Sequence, residues 1–297
     1  MNRLLFVIIA FAFLSCGCSS VSLLYRNADW YLQHKIDGYA TFNTRQEKMI
    51  HGEISNYLDW HRKYALPEYI IFLQNLNGVA QHDGQVKVEN IAQLRAQLTS
   101  LYRTSLTPAI KPAAKILSSL DSRQIQELEQ NLAEENTKQQ REETDMGRDA
   151  YLDKRAYKTL NFLEGLVGNM SREQRQRVKE MSRHLPLIRS TFIEQRASNQ
   201  GRLIKLLGDN AGADKLASFM SLWTLTPDAT RTAQQQRDIH AFETASDEMI
   251  ANIQGMLTPR QKNHLHKEIS GYIDELQNLT TDKKAASGAS RQQSGPP

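Results

Sequence analysis

Metal or acid–base chemistry in this chain would fall to its eight histidines and its carboxylates. Zinc hydrolysis needs two imidazoles on one helix face, as in His-Glu-x-x-His, and no such run occurs. His264 and His266 stand about 200° apart around a helix and could not share a metal, whereas His264 and Glu268 fall on one face as solvated residues. His61 lies in Asp59-Trp60-His61-Arg62, where neighbouring helical residues point apart, so a catalytic cluster would need another segment to complete it. A hydrogen-bonding, structural histidine is the expectation. Glycoside cleavage needs only two carboxyl groups that meet in space, and Asp29 and Asp59 are the first to consider. Helix capping and pairing with Arg26 or Arg62 is the simpler role for both. A Gly-rich phosphate loop, a Gly-x-Ser-x-Gly elbow and an EF-hand loop are all missing from the sequence. No catalytic, cofactor-binding or metal residue is therefore assigned, and no enzymatic activity or cofactor is expected.

The cysteines do a different kind of chemistry. Cys16 and Cys18 are the only two, so the remainder of the chain has no thiol for a bridge, a zinc cluster or a nucleophile. Ahead of them, Arg3 and the uncharged run from Leu4 to Leu14 read as the n- and h-regions of an export signal. A span through the hydrocarbon layer needs roughly 20 apolar residues, which this run does not reach. Leu14-Ser15-Cys16-Gly17-Cys18-Ser19-Ser20 resembles the lipobox of bacterial lipoproteins, in which small residues precede an acylated cysteine. The resemblance implies a signal peptide at 1–17 and lipidation (palmitate) at Cys18, with Leu14-Ser15-Cys16 as the alternative frame. Several acyl chains on one cysteine hold a protein on a membrane durably. Ser19 in place of an aspartate implies an outer-membrane lipoprotein whose body faces the periplasm. The formal charge of +4 is mildly basic and does not imply nucleic acid.

The elements that must position any site are helices. Beyond the lipobox, glycine and proline are sparse, alternating apolar runs are nearly absent, and Gln, Glu, Lys, Arg, Ala and Leu abound. An all-α bundle of long antiparallel helices is expected over 42–281, after an anchor and N-terminal segment at 18–41. Ile239, Phe242, Ser246, Met249, Ile253 and Met256 form one apolar seam, and Leu265, Ile269, Tyr272, Leu276 and Leu279 form the next. Two such helices joined by a short turn predict an antiparallel hairpin.

One helix-start grammar occurs four times: an apolar residue, a capping residue, Gln three places later, and an apolar residue four beyond that. The instances are Asn43 with Gln46, Asp121 with Gln124, Ser171 with Gln174 and Thr258 with Gln261. A cap oxygen accepts from the first-turn amides while Gln bonds back to the cap's own N–H, the chemistry of a capping box. The spacing suggests two related halves, 42–169 and 170–281, with Leu66-Pro67 and Leu185-Pro186 as equivalent kinks. Asn131 to Asp149 reads as the solvated arm of a long helix, Asn75 to Val88 as a loop, and 282–297 as a disordered tail.

Two resemblances follow from these residues. The lipobox, Leu24-Tyr25-Arg26-Asn27-Ala28-Asp29-Trp30, Trp60-His61-Arg62, Leu66-Pro67-Glu68-Tyr69 and Leu257-Thr258-Pro259-Arg260-Gln261 resemble an uncharacterised family of proteobacterial lipoproteins, a domain-of-unknown-function group. The four caps are similar to the Leu-Thr-x-x-Gln repeats of Spy and CpxP type periplasmic proteins, which bind unfolded clients or a sensor. Only the fourth copy matches that repeat letter for letter. The likenesses imply a non-enzymatic, chaperone-like or binding module of the envelope, with an unidentified protein or cell-wall partner. A peptidoglycan-acting enzyme with a spatially assembled carboxylate site, and a scaffold subunit of an envelope complex, are the alternatives.

Overall fold

The computed structural model describes residues 20–281. The expected leader, Cys16, Cys18 and the tail at 282–297 lie outside the described residues.

Short α1 (Ser20–Arg26) and α2 (Ala28–Asp37) lead into α3 (Thr44–Trp60), which runs through a π turn (His61–Ala65) into α4 (Leu66–Ala80). The 30-residue α5 (Val88–Leu117) follows, then α6 (Ser122–Thr144), α7 (Arg148–Val167), α8 (Arg172–His184) and α9 (Arg189–Gly208). The chain closes with α10 (Ala213–Leu225), a 3-10 turn (Pro227–Thr230), α11 (Ala233–Gly255) and α12 (Pro259–Thr281). Among the described residues there is no strand, and the fold is an all-α bundle.

Apolar seams decide which helices meet. Leu160, Val167, Val178, Ile253 and Leu257 join α7, α8 and the end of α11 in one core. Ala114, Leu128, Leu203, Leu207, Leu216 and Phe219 join α5, α6, α9 and α10 in another. Elements of the two expected halves interleave, since α4 packs on α12, α5 on α10 and α11, and α6 on α9.

Four local expectations need correction. α11 and α12 do not form a packed hairpin. Instead α12 runs antiparallel to α4, with Gln81 Nε2 donating to the Lys262 carbonyl at 2.8 Å and Asn77 Nδ2 2.8 Å from His266 Nδ1. α4 is apolar on nearly every side (Ile70, Ile71, Phe72, Leu73, Leu76 and Val79) and needs cover from more than one helix. The same packing keeps Asn77-Gly78 helical despite its turn chemistry, so the loop spans only 81–87.

The polar stretch after Asn131 is helical and largely solvated as expected, but it is pinned to a neighbour and ends before Asp149. Asn136 accepts from Arg196 Nε at 2.8 Å and donates to Gln200 Oε1 at 2.6 Å, binding it to α9. Its helix stops at Thr144, and Gly147, at φ +77, turns the chain into α7. Lastly, the two Leu-Pro pairs are not equivalent. The π turn carries the backbone through Pro67, offsetting the hydrogen bond that proline cannot donate, whereas at Leu185 the chain turns extended (ψ 138) and α8 ends.

Gly168 closes α7 at φ +76 and ψ −161, a region open essentially to glycine alone. A Cβ there would sit 2.6 Å from the Cδ2 of His264. Gly168→Ala is therefore expected to cost about 3 kcal/mol in urea unfolding. Adding His264→Ala should return only the steric part, leaving the backbone cost behind.

Candidate functional site

The repeated helix starts form two interlocked pairs. Gln46 Oε1 accepts from the Asn43 N–H at 3.0 Å, and Gln124 Oε1 from the Asp121 N–H at 3.0 Å. The two carboxamides also donate to each other, at 3.0 and 2.7 Å, and each reaches across to a carbonyl ahead of its partner's cap. Those carbonyls are Ser119 at 2.9 Å from Gln46 and Thr41 at 2.7 Å from Gln124. Gln174 and Gln261 repeat the arrangement at 2.9 and 3.0 Å, reaching the carbonyls of Met256 and Asn169. Every amide in both locks is spent on the fold, so these are structural devices rather than ligand contacts. A fifth box, Thr232 with Gln235, starts α11. Arg231 stands before it instead of an apolar residue, which hid it from the sequence pattern.

His61 sits in a cage of tyrosines. The rings of Tyr25, Tyr57 and Tyr69 have centroids 5.9, 5.8 and 5.9 Å from the imidazole, and Tyr25 Oη lies 3.2 Å from His61 Nδ1. Burial lowers the imidazole pKa to about 4, so it is neutral at physiological pH. Burial likewise pushes Tyr25 up to about 12 and raises Tyr69, whose hydroxyl meets Ser105 Oγ at 3.0 Å. A neutral imidazole held among protonated phenols is poorly suited to proton transfer near pH 7. Of the two carboxylates considered, Asp59 pairs with Arg62 at 3.3 Å on the surface and Asp29 stands in the first turn of α2. His264 and Glu268 approach only to 3.8 Å. Among the described residues no group of three His, Cys, Asp or Glu side chains is placed to hold a metal.

The strongest candidate is a cleft of about 510 Å³ between α5 and α11. Arg95, Thr99 and Arg103 line it from α5 at four-residue steps, with Ser100 beside them; Gln236, His240 and Glu243 line it from α11, and Asp228 and Arg231 close one end. Arg95 is committed: it donates from Nε and Nη2 to the buried Asp247 at 3.0 and 2.9 Å, and its Nη1 lies 3.0 Å from Glu243. Arg231 is committed to Asp228 and to Gln195 Oε1. Arg103 is different, because among the described residues no carboxylate pairs with it and its enclosed Nε has no hydrogen-bond partner. The guanidinium has a preorganised fork of donors. The arrangement suits a ligand carboxylate on Arg103, with the Thr99, Ser100 and Gln236 side chains as further polar contacts. These residues do not stand out in the sequence, because nothing in their spacing on α5 links them to α11.

Residues 38–228 match the sequence family described as a family of unknown function (DUF6279). No curated protein and no solved structure matches the chain. The matched span takes in the first glutamine lock and the α5 wall of the cleft and stops short of α11 and α12.

Proposed function

The chain belongs to the family of unknown function DUF6279, and on that premise we propose that it is a lipid-anchored, non-enzymatic binding module of the bacterial envelope. The anchor is Cys18, with Cys16 as the alternative, and the body faces the periplasm from the outer membrane. The lipobox resemblance supports the anchor. The observation that carries the binding role is the uncommitted Arg103 in the α5–α11 cleft. The partner it suits is an envelope component that presents a carboxylate.

In vivo crosslinking and pull-down of the membrane-extracted protein tests this reading, with intact-mass analysis reporting the acyl chains. Arg103→Ala is expected to weaken partner retention roughly tenfold or more, the worth of one charge-assisted bond, while unfolding stability shifts by less than about 0.5 kcal/mol. Unchanged retention would remove the cleft as the binding site, and an unmodified amino terminus would remove the anchor.

A further inference from the structure

We propose that the face formed by α1 and α2 lies on the lipid bilayer, an inference that rests on the reading of Cys18 as the acylated residue. Cys18 stands two residues before α1 begins, so its Cα lies within about 8 Å of the helix start; for Cys16 the reach is about 15 Å. At this end of the molecule large apolar side chains meet solvent. Leu23 is 63 % exposed, Leu24 48 %, Trp30 66 % and Tyr31 48 %, all within nine residues of one another. Single exposed apolar residues are ordinary, but a concentration of them marks an interaction surface.

The local packing explains why these residues cannot turn inward. α1 is tied down on its other side, where the Ser22 N–H donates to Glu275 Oε2 at 3.2 Å and Tyr25 Oη donates to the Leu58 carbonyl at 3.3 Å. α2 buries none of its residues. Its exposed side combines aromatic rings with polar partners: Trp30 stacks on His34 at 5.4 Å, and Lys35 Nζ sits 5.7 Å from the centre of the Tyr31 ring. Tryptophan and tyrosine with a snorkelling lysine are the side chains that settle at the boundary of headgroups and hydrocarbon. Arg26 and Lys35 are balanced by Asp29 and Asp37, so the attraction is apolar and needs no anionic lipid. An acyl anchor alone leaves the body free to swivel; this face would fix its orientation on the membrane.

The test uses the full-length lipidated protein with Trp60→Phe and Trp223→Phe, which leaves Trp30 as the sole tryptophan, in phosphatidylcholine vesicles with brominated acyl chains. Trp30 emission should be quenched and shifted to the blue, with no dependence on salt. Should that variant fail to fold, 19F-labelled tryptophan in the native chain with a paramagnetic lipid reads Trp30 separately. In the Cys16→Ser, Cys18→Ser chain, Leu24→Ser with Trp30→Ser should lower vesicle partitioning about tenfold. Intact mass reports acylation independently. An acylated protein whose Trp30 is untouched by the lipid quencher overturns this inference and leaves the anchor standing. An unacylated chain whose Trp30 is still quenched sustains the face and removes the anchor. A blue shift that needs no lipid and grows with protein concentration assigns the face to a second copy and overturns the inference.

Discussion

Gln46→Ala is expected to destabilise the protein by about 3 kcal/mol, more than a helix cap ordinarily contributes. The side chain is 2 % exposed and makes five bonds at once: one to and one from the Gln124 carboxamide, one from the Asn43 N–H, and one each to the carbonyl and hydroxyl of Ser119. Alanine would strip the enclosed Gln124 carboxamide of its two bonds to Gln46, leaving it only the Asp121 N–H and the Thr41 carbonyl, and would return the Asn43 N–H and the Ser119 carbonyl to water, with the packing of an enclosed side chain lost as well. Gln235→Ala, which removes only a surface box at the start of α11, should cost about 0.5–1 kcal/mol. A double-mutant cycle on Gln46 and Gln124 should report about 1–2 kcal/mol of coupling, because the second removal finds the shared bonds already gone. Denaturant unfolding of the wild type, the three single variants and the double variant measures both quantities. Equal losses for Gln46 and Gln235 would contradict the lock.

Acid should weaken the fold through His61. The unfolded imidazole takes up its proton near pH 6.5, whereas the folded one resists until about pH 4. Between those values the unfolded state holds more protons, so stability is fully present above about pH 6.5 and falls as the pH drops towards 4. The total is roughly 3 kcal/mol, of which about 2 kcal/mol should be lost by pH 5. His61→Phe keeps a ring in the tyrosine cage and removes the titration, so the difference in stability between pH 7 and pH 5 should shrink by that amount. Carboxylates contribute equally to both proteins and cancel in the comparison. An identical pH profile for the two would show that the imidazole is solvated after all.

Helix starts were legible because capping is local chemistry: Asn43, Asp121, Ser171 and Thr258 each find their glutamine three residues along the same chain. The meeting of these boxes in pairs was not, since Gln46 and Gln124 are brought together by the packing of α3, α5 and α6 rather than by any spacing in the sequence. The α11 and α12 seams were read correctly as apolar. Their partners were misassigned, because proximity in sequence says nothing of α4, whose apolar girth attracts α12. Asn77-Gly78 shows the same override at smaller scale, a turn-prone pair held helical by a neighbour. The π turn at His61 left no mark in composition. The cleft lay beyond reach for the same reason as the pairs: one wall is on α5, the other on α11, and the freedom of Arg103 shows only once Arg95 and Arg231 have taken their carboxylates.

The most direct test of the binding role is site-specific photocrosslinking in living cells from Ala96, an exposed position on the cleft wall that supplies none of its polar contacts. One discrete adduct that disappears with Arg103→Ala is the expected result. No adduct from Ala96, or one that persists unchanged in the Arg103→Ala protein, would contradict a binding role for this cleft.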